Sequence, residues 1–336
     1  MAIFNPISPG EHLRGYTGLI FRESIMKVIT KLQLLTVLVL FLPGLSAAAD
    51  SGATDTFEEN LTVAEAITLD VKTGSGSIEI SSGPGRDVTI AGKIKVQRSS
   101  FWRRVSNAEE IIQQVIDNPP IEVSDGLVRV GRFEDRSLGK RVSISYKIVV
   151  PADSEVLAST GSGSISVNEI AARVDVGSGS GRLKLANIGG SVDASAGSGS
   201  IRAEKVAGGF NASTGSGSIY LSQTAPGDVS VSTGSGSTEL TGIAGSLKAK
   251  AGSGRITVDG RQEGDWRIDS GSGSIRVSLP GDAAFVLDAE SNSGGIVVDH
   301  PVTIQGKASK KHIRGDVRGG GPLLKIDTGS GGIRVE

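Results

Sequence analysis

Apolar and polar residues alternate along this chain in short runs, and the runs come in two sets. One set is Ile165-Ser166-Val167, Leu183-Lys184-Leu185, Ile201-Arg202-Ala203, Ile219-Tyr220-Leu221, Ile256-Thr257-Val258 and Ile275-Arg276-Val277. The other is Val174-Asp175-Val176, Val192-Asp193-Ala194, Phe210-Asn211-Ala212, Val229-Ser230-Val231, Leu247-Lys248-Ala249 and Trp266-Arg267-Ile268. An apolar–polar–apolar run is the period-two signature of a strand with one buried face. A third apolar position, such as Ile170, Ile188, Val206 or Ile243, stands just before the turn that links the two.

A Gly-Ser run precedes each member of the first set. TGSGSI occurs at Thr73–Ile78, Thr160–Ile165 and Thr214–Ile219, with close variants elsewhere. The leading glycines are Gly74, then Gly161, Gly179, Gly197, Gly215, Gly234, Gly252 and Gly271, and finally Gly329. From Gly161 to Gly271 the steps are 18, 18, 18, 19, 18 and 19 residues. A flexible linker has no reason to keep such a period, whereas a coil of fixed circumference does. The pattern predicts an all-β, single-chain β-solenoid (β-helix) with coils of about 18–19 residues, each giving two or three short strands. No coil buries its apolar face alone, so stacking makes the core. Glycine is expected at the corner for two reasons, a positive φ and the small volume that stacked corners require. Ser and Thr hydroxyls are expected to bond along the stack.

The repeat appears once at Thr73, is interrupted, and resumes at Thr160. The interruption, an insert over 98–145, contains Ser106-Asn107-Ala108-Glu109 with capping-box spacing and Ile111, Ile112, Val115 and Ile116 on one face. Pro119-Pro120 stops it, so one helix is predicted over 107–117 as a cap on the N-terminal end of the core. Ile121–Val130 and Val142–Val150 read as strands that lead back into the stack. Regular coils are expected over 146–300, and an irregular loop with a last coil over 301–336. The Lys307–Gly321 loop either covers that coil or leaves it an open edge for self-association.

Lys27 and Lys31 precede an apolar run, Leu32–Leu42, followed by Ser46-Ala47-Ala48-Ala49. That is the layout of a signal peptide over 26–49 with cleavage after Ala49. The run is short for a membrane span, and starting at Met26 would make 1–25 an upstream mis-assigned start. The solenoid would then occupy 50–336, exported and periplasmic, outer-membrane-associated or secreted, with no membrane span in the mature chain. There is no Cys, so neither a disulfide nor a Cys-linked lipid supports it. A formal net charge of −1 argues against nucleic acid as a partner.

YKIVVPADSEVLASTGSGSISV (Tyr146–Val167) and GGGPLLKIDTGSGGIRVE (Gly319–Glu336) resemble segments of a bacterial adhesin-type, β-strand-repeat family of unknown function. The likeness covers most of Asp50–Glu336. It implies an exported solenoid, like the head of an autotransporter adhesin, with a surface or envelope role. The family brings no active site to carry over. Two departures are Arg255 in place of a corner Ser and an insert less acidic than the family pattern.

Sites that would make an enzyme are missing from the sequence. There is no H-E-x-x-H, no G-x-S-x-G and no phosphate loop, since Gly92-Lys93 is followed by Ile94. Downstream of Ala49 the histidines are His300 and His312. Asp175 and Asp193 stack one coil apart and could share a cation, although a solvated face continuing to Asn211 explains them better. Neither a metal nor another cofactor is expected. Lys184, Arg202, Tyr220 and Glu239 fall on the outward side of consecutive coils, suited to an acidic sugar. Lys307, Lys310, Lys311, His312, Arg314 and Arg318 form a basic loop, read as solvated. Trp102, beside Phe101, either anchors at a membrane or, more in keeping with the insert, packs the helix on the coils. The expected protein is a non-enzymatic, structural or adhesin-like rod that binds an unknown surface, glycan or envelope protein through repeated ladders. A periplasmic scaffolding or envelope-signalling module and a glycan-active β-helix enzyme are the rival readings. The latter needs a paired acid and base, and Glu239 alone is thin support.

Overall fold

The structure, a computed structural model, describes residues 53–96, 108–304 and 309–336. The expected leader with Ala49, the Phe101-Trp102 pair and Lys307 lie outside the described residues.

Each coil gives two strands, one to each of two sheets of thirteen and fourteen strands. Val174–Ser178 belongs to the second sheet; the corner then leads into Leu183–Ile188 of the first, and Val192–Ala196 returns to the second. Equivalent strands of successive coils pair in parallel and in register: Val174, Val192, Phe210, Val229, Leu247 and Trp266 follow one another across the second sheet. Alternate residues are buried, as in Val174–Ser178 and Phe210–Thr214, so the two sheets enclose one continuous apolar core. Trp266 is fully buried in it, and its indole N–H donates to the Gly245 carbonyl at 2.9 Å.

The third apolar position does not begin a third strand. Ile188, Val206 and Ile243 end first-sheet strands, and Ile170 follows one. The residues just before them, Glu169, Asn187, Lys205 and Gly242, take φ of 60°, 55°, 55° and 73°. This left-handed kink turns the third apolar side chain back into the core, where all four are buried.

Of the two reasons that the sequence gives for the corner glycines, the close stacking of corners holds and the positive φ does not. None of the leading corner glycines has a positive φ; the left-handed turn sits at the other end of the strand. What excludes a side chain at the corner is the stack itself. A Cβ on Gly163 would overlap the Gly76 carbonyl oxygen, one on Gly181 that of Gly163, and one on Gly217 that of Gly199. The second glycine of each G-S-G is the tighter of the two, because adjacent coils run one strand spacing apart and their backbones touch there.

Beside each corner a buried hydroxyl ties one coil to the next. The Thr160 hydroxyl donates to the Gly76 carbonyl at 3.1 Å and accepts from the Gly163 N–H at 3.1 Å. Ser178, Thr214 and Thr233 repeat both bonds on later coils. Two bonds per hydroxyl satisfy groups that the sheet ladder leaves over, each worth about 1 kcal/mol. Ala196 and Ala251 occupy the same position without a hydroxyl.

At the N-terminal end the first coil, Thr68–Thr73 and Ile78–Gly83, pairs directly with Glu155–Thr160 and Ile165–Asn168, so the insert loops out without disturbing the register. Its helix spans Ala108–Asp117 and buries Ile111, Ile112 and Val115. The predicted strand over Ile121–Val130 is a hairpin, Ile121–Ser124 with Leu127–Val130, turned at Asp125-Gly126 where Gly126 has φ 74°. A further short helix, Arg136–Gly139, precedes Val142–Pro151.

The C-terminal end departs from the expected serial order. Leu323–Thr328 and Ile333–Val335, last in sequence, are not last in space. Leu323–Thr328 lies between Trp266–Ser270 and Phe285–Ser291, and Ile333–Val335 lies between Ile275–Ser278 and Ile296–Val298. The chain lays down its outermost coil first, makes the antiparallel hairpin Val302–Ile304 with His312–Val317, and returns to fill the gap it left. Regular coils therefore end at Ser278 in chain order. The open edges are Ile296–Val298 and Val302–Ile304, not the segment that ends at Glu336.

Candidate functional site

The four outward residues read from the sequence come together. Lys184 pairs in register with Arg202, Arg202 with Tyr220, and Tyr220 with Glu239, on four consecutive first-sheet strands. Such neighbours stand about 4.8 Å apart along the coil axis. The Arg202 guanidinium lies over the Tyr220 ring, 4.2 Å from its centroid, and its Nε donates to Glu204 Oε1 at 2.6 Å. Lys184 and Glu239 have no hydrogen-bond or ion-pair partner among the described residues. Ser166 precedes and Thr257 follows on the same ladder, so a cation–aromatic platform is flanked by polar groups.

Asp175 and Asp193 hold a guanidinium between them. Arg173 reaches Asp193 at 2.9 Å and Asp175 at 3.8 Å, and Asn211 donates to Asp193 at 3.1 Å. The side chains are satisfied by protein, which accounts for both carboxylates. No group of three or more acidic, His or Cys residues is placed to hold a metal among the described residues.

The second sheet carries a charge array that the sequence order hides. Lys248, Arg267, Lys325 and Asp288 form one outward row, and Lys250, Asp269, Asp327 and Glu290 the row beside it. Lys250 pairs with Asp269 at 3.8 Å and Lys325 with Asp327 at 3.7 Å. His312 Nε2 lies 3.1 Å from Asp288 Oδ1. Burial pushes the Asp327 pKa up; Lys325 opposes this, and the carboxylates of Asp269, Glu290 and Asp288 add to it. A shallow groove of about 550 Å³ runs over Lys250, Asp269, Asp327 and Glu290. Its rows could be aligned only with knowledge that the C-terminal strands are interleaved.

Among the described residues no helix is long and apolar enough to cross a membrane. No curated protein matches the chain. Two solved structures are similar in outline. The crystal structure of a putative cell adhesion protein from Clostridium sporogenes is 13% identical, with 84% of this chain and 99% of that one covered and a TM-score of 0.21. That of a putative adhesin from Bacteroides fragilis is 11% identical, with 86% and 100% covered and a TM-score of 0.38. The family comparison is of another order, since it matches residues 44–336, nearly the whole repeat-bearing chain. It upholds the resemblance read from Tyr146–Val167 and Gly319–Glu336: the chain belongs to the Toastrack DUF4097 family.

Proposed function

We propose that this protein is a non-enzymatic, exported, adhesin-like rod whose first-sheet ladder takes an acidic glycan at the cell surface or envelope. The observation that carries the reading is the stacking of Arg202 on Tyr220 between Lys184 and Glu239, in strict register. Tyr220 holds the Arg202 guanidinium in place, and Arg202 and Lys184 meet the carboxylate of a sugar. Glu239 faces the same ligand as an acceptor for hydroxyls. An exposed ion pair between Lys184 or Arg202 and a sugar carboxylate is worth about 0–1 kcal/mol, so one site is weak. Many copies of the rod on a polymer would gain roughly 10²–10⁴ in avidity.

Glycoside cleavage by this face would need two carboxyls about 5–10 Å apart with one held protonated. Among the described residues the carboxyls that burial raises, Glu59 and Asp327, are on the N-terminal edge strand and on the other sheet, away from the ladder.

Calorimetric titration with a polyuronate and with a neutral glucan tests the reading. Binding of the polyuronate, lost in Arg202→Ala and Tyr220→Ala with an unchanged circular-dichroism spectrum, supports it. Equal affinity for the neutral polymer, or new reducing ends that disappear in Glu239→Gln, overturns it. Protease digestion of intact against opened cells then assigns the compartment. Protection until opening would turn the search to a periplasmic partner.

A further inference from the structure

Four strands end the two sheets: Thr54–Thr62 and Ile121–Ser124 at the N-terminal end, Ile296–Val298 and Val302–Ile304 at the C-terminal end. The exposed large apolar side chains of the described residues all lie on these edges: Val123 is 45% exposed, Val297 48% and Ile304 40%. The two ends are otherwise unlike. The helix Ala108–Asp117 buries Ile111, Ile112 and Val115 at the N-terminal end. At the other end Ile296, Val298, Val302 and Ile313 pack on the core but stay half-buried, and no helix of the described residues covers them. A bare edge with its main-chain groups unpaired is a template for another strand.

Charge selects the partner. The N-terminal edge carries Asp55, Glu58 and Glu59 with no basic residue, and its cap helix carries Glu109, Glu110 and Asp117 with none. Ile121–Ser124 adds Glu122, which meets Arg129 at 3.6 Å. Lys93 and Lys95 stand one strand inward. The C-terminal hairpin presents Lys310, Lys311, Arg314 and Arg318, exposed and without an ion-pair partner among the described residues. Two C-terminal ends facing each other would oppose these cations, and two N-terminal ends would oppose carboxylates. Only head to tail do the signs complement.

Strand direction agrees with this. Thr54–Thr62 is antiparallel to Asp87–Val96, which is antiparallel to Val142–Pro151, itself parallel to the coil strands. Thr54–Thr62 therefore runs the same way as Ile296–Val298. A copy translated along the axis meets its neighbour as one more parallel pair in the first sheet and, because Ile121–Ser124 runs against the coil strands while Val302–Ile304 runs with them, as an antiparallel pair in the second.

We infer that copies of this chain assemble end to end, the C-terminal edge of one on the acidic N-terminal edge of the next. The contact is heterologous, so it leaves a free end at each step and builds a filament instead of a closed dimer. It multiplies any ligand ladder along the axis but does not depend on what that ladder binds.

Sedimentation velocity of the protein as purified from cells, across concentration and salt, reads this directly. An open-ended series of species is expected at low salt, shrinking toward monomer at about 0.5 M salt as the Debye length falls to a few ångströms. Lys310→Glu/Lys311→Glu and Glu58→Lys/Glu122→Lys should each weaken assembly about tenfold or more. Mixing the two variants should restore it as an alternating copolymer, since each then offers the other an opposite charge at both contacts. Misfolded variants would not be rescued by mixing. A monomer at all concentrations, a closed dimer, or assembly unchanged in either variant overturns the inference.

Discussion

The Thr328 hydroxyl donates to the Gly273 carbonyl at 3.0 Å although 55 residues separate them in the chain. It also accepts from the Gly331 N–H at 3.2 Å, so it closes its own corner and ties it to the coil beneath. Thr328→Val keeps the volume and removes both bonds. The expected cost is about 1–2 kcal/mol, a lower urea midpoint with an unchanged m-value. Wild-type stability in that variant would mean that the hydroxyl stack contributes nothing at the interleaved coil.

Close approach, not backbone handedness, is what the corner glycines supply. Gly181→Ala drives a Cβ into the Gly163 carbonyl oxygen and should cost about 3 kcal/mol or more. Gly281→Ala meets nothing within 4 Å and should change stability by less than about 0.5 kcal/mol. Chemical denaturation of the pair separates the two situations, and equal effects would remove the stacking argument.

Ala196 interrupts the hydroxyl stack between Ser178 and Thr214. Ala196→Thr would place a donor by the Gly181 carbonyl and an acceptor by the Gly199 N–H, as its neighbours do. The variant should gain about 1 kcal/mol, visible as a rise in thermal midpoint. A fall would show that the position cannot take a β-branched side chain.

Asp327 is held above the ordinary Asp range by burial and by neighbouring carboxylates. The folded state thus keeps its proton to higher pH than the unfolded chain does. Between the ordinary Asp value of about 3.9 and the raised one, stability falls as pH rises. Asp327→Asn should therefore be more stable than wild type at pH 7, with the difference shrinking as pH drops below about 4. Urea midpoints across that range check the sign. A variant less stable at pH 7 would give the exposed Lys325 pair more weight than the repulsion.

The sequence alone determined the coil, its circumference, the cap helix and the first-sheet ladder. Those features follow from local periodicity, because a constant step of 18 or 19 residues forces like residues into register. Lys184, Arg202, Tyr220 and Glu239 could be aligned by counting. Counting fails where chain order and spatial order part. Nothing in the period says that Asp327 lies between Asp269 and Glu290, because any strand with the right alternation fits any slot in a parallel stack. Nor does composition reveal that the left-handed residues are Glu169, Asn187 and Lys205 while the corner glycines keep ordinary φ. Those outcomes were decided in the tertiary structure, by which backbones come into contact: carbonyl oxygens of one coil exclude side chains from the next, and the last strand takes the one gap left open.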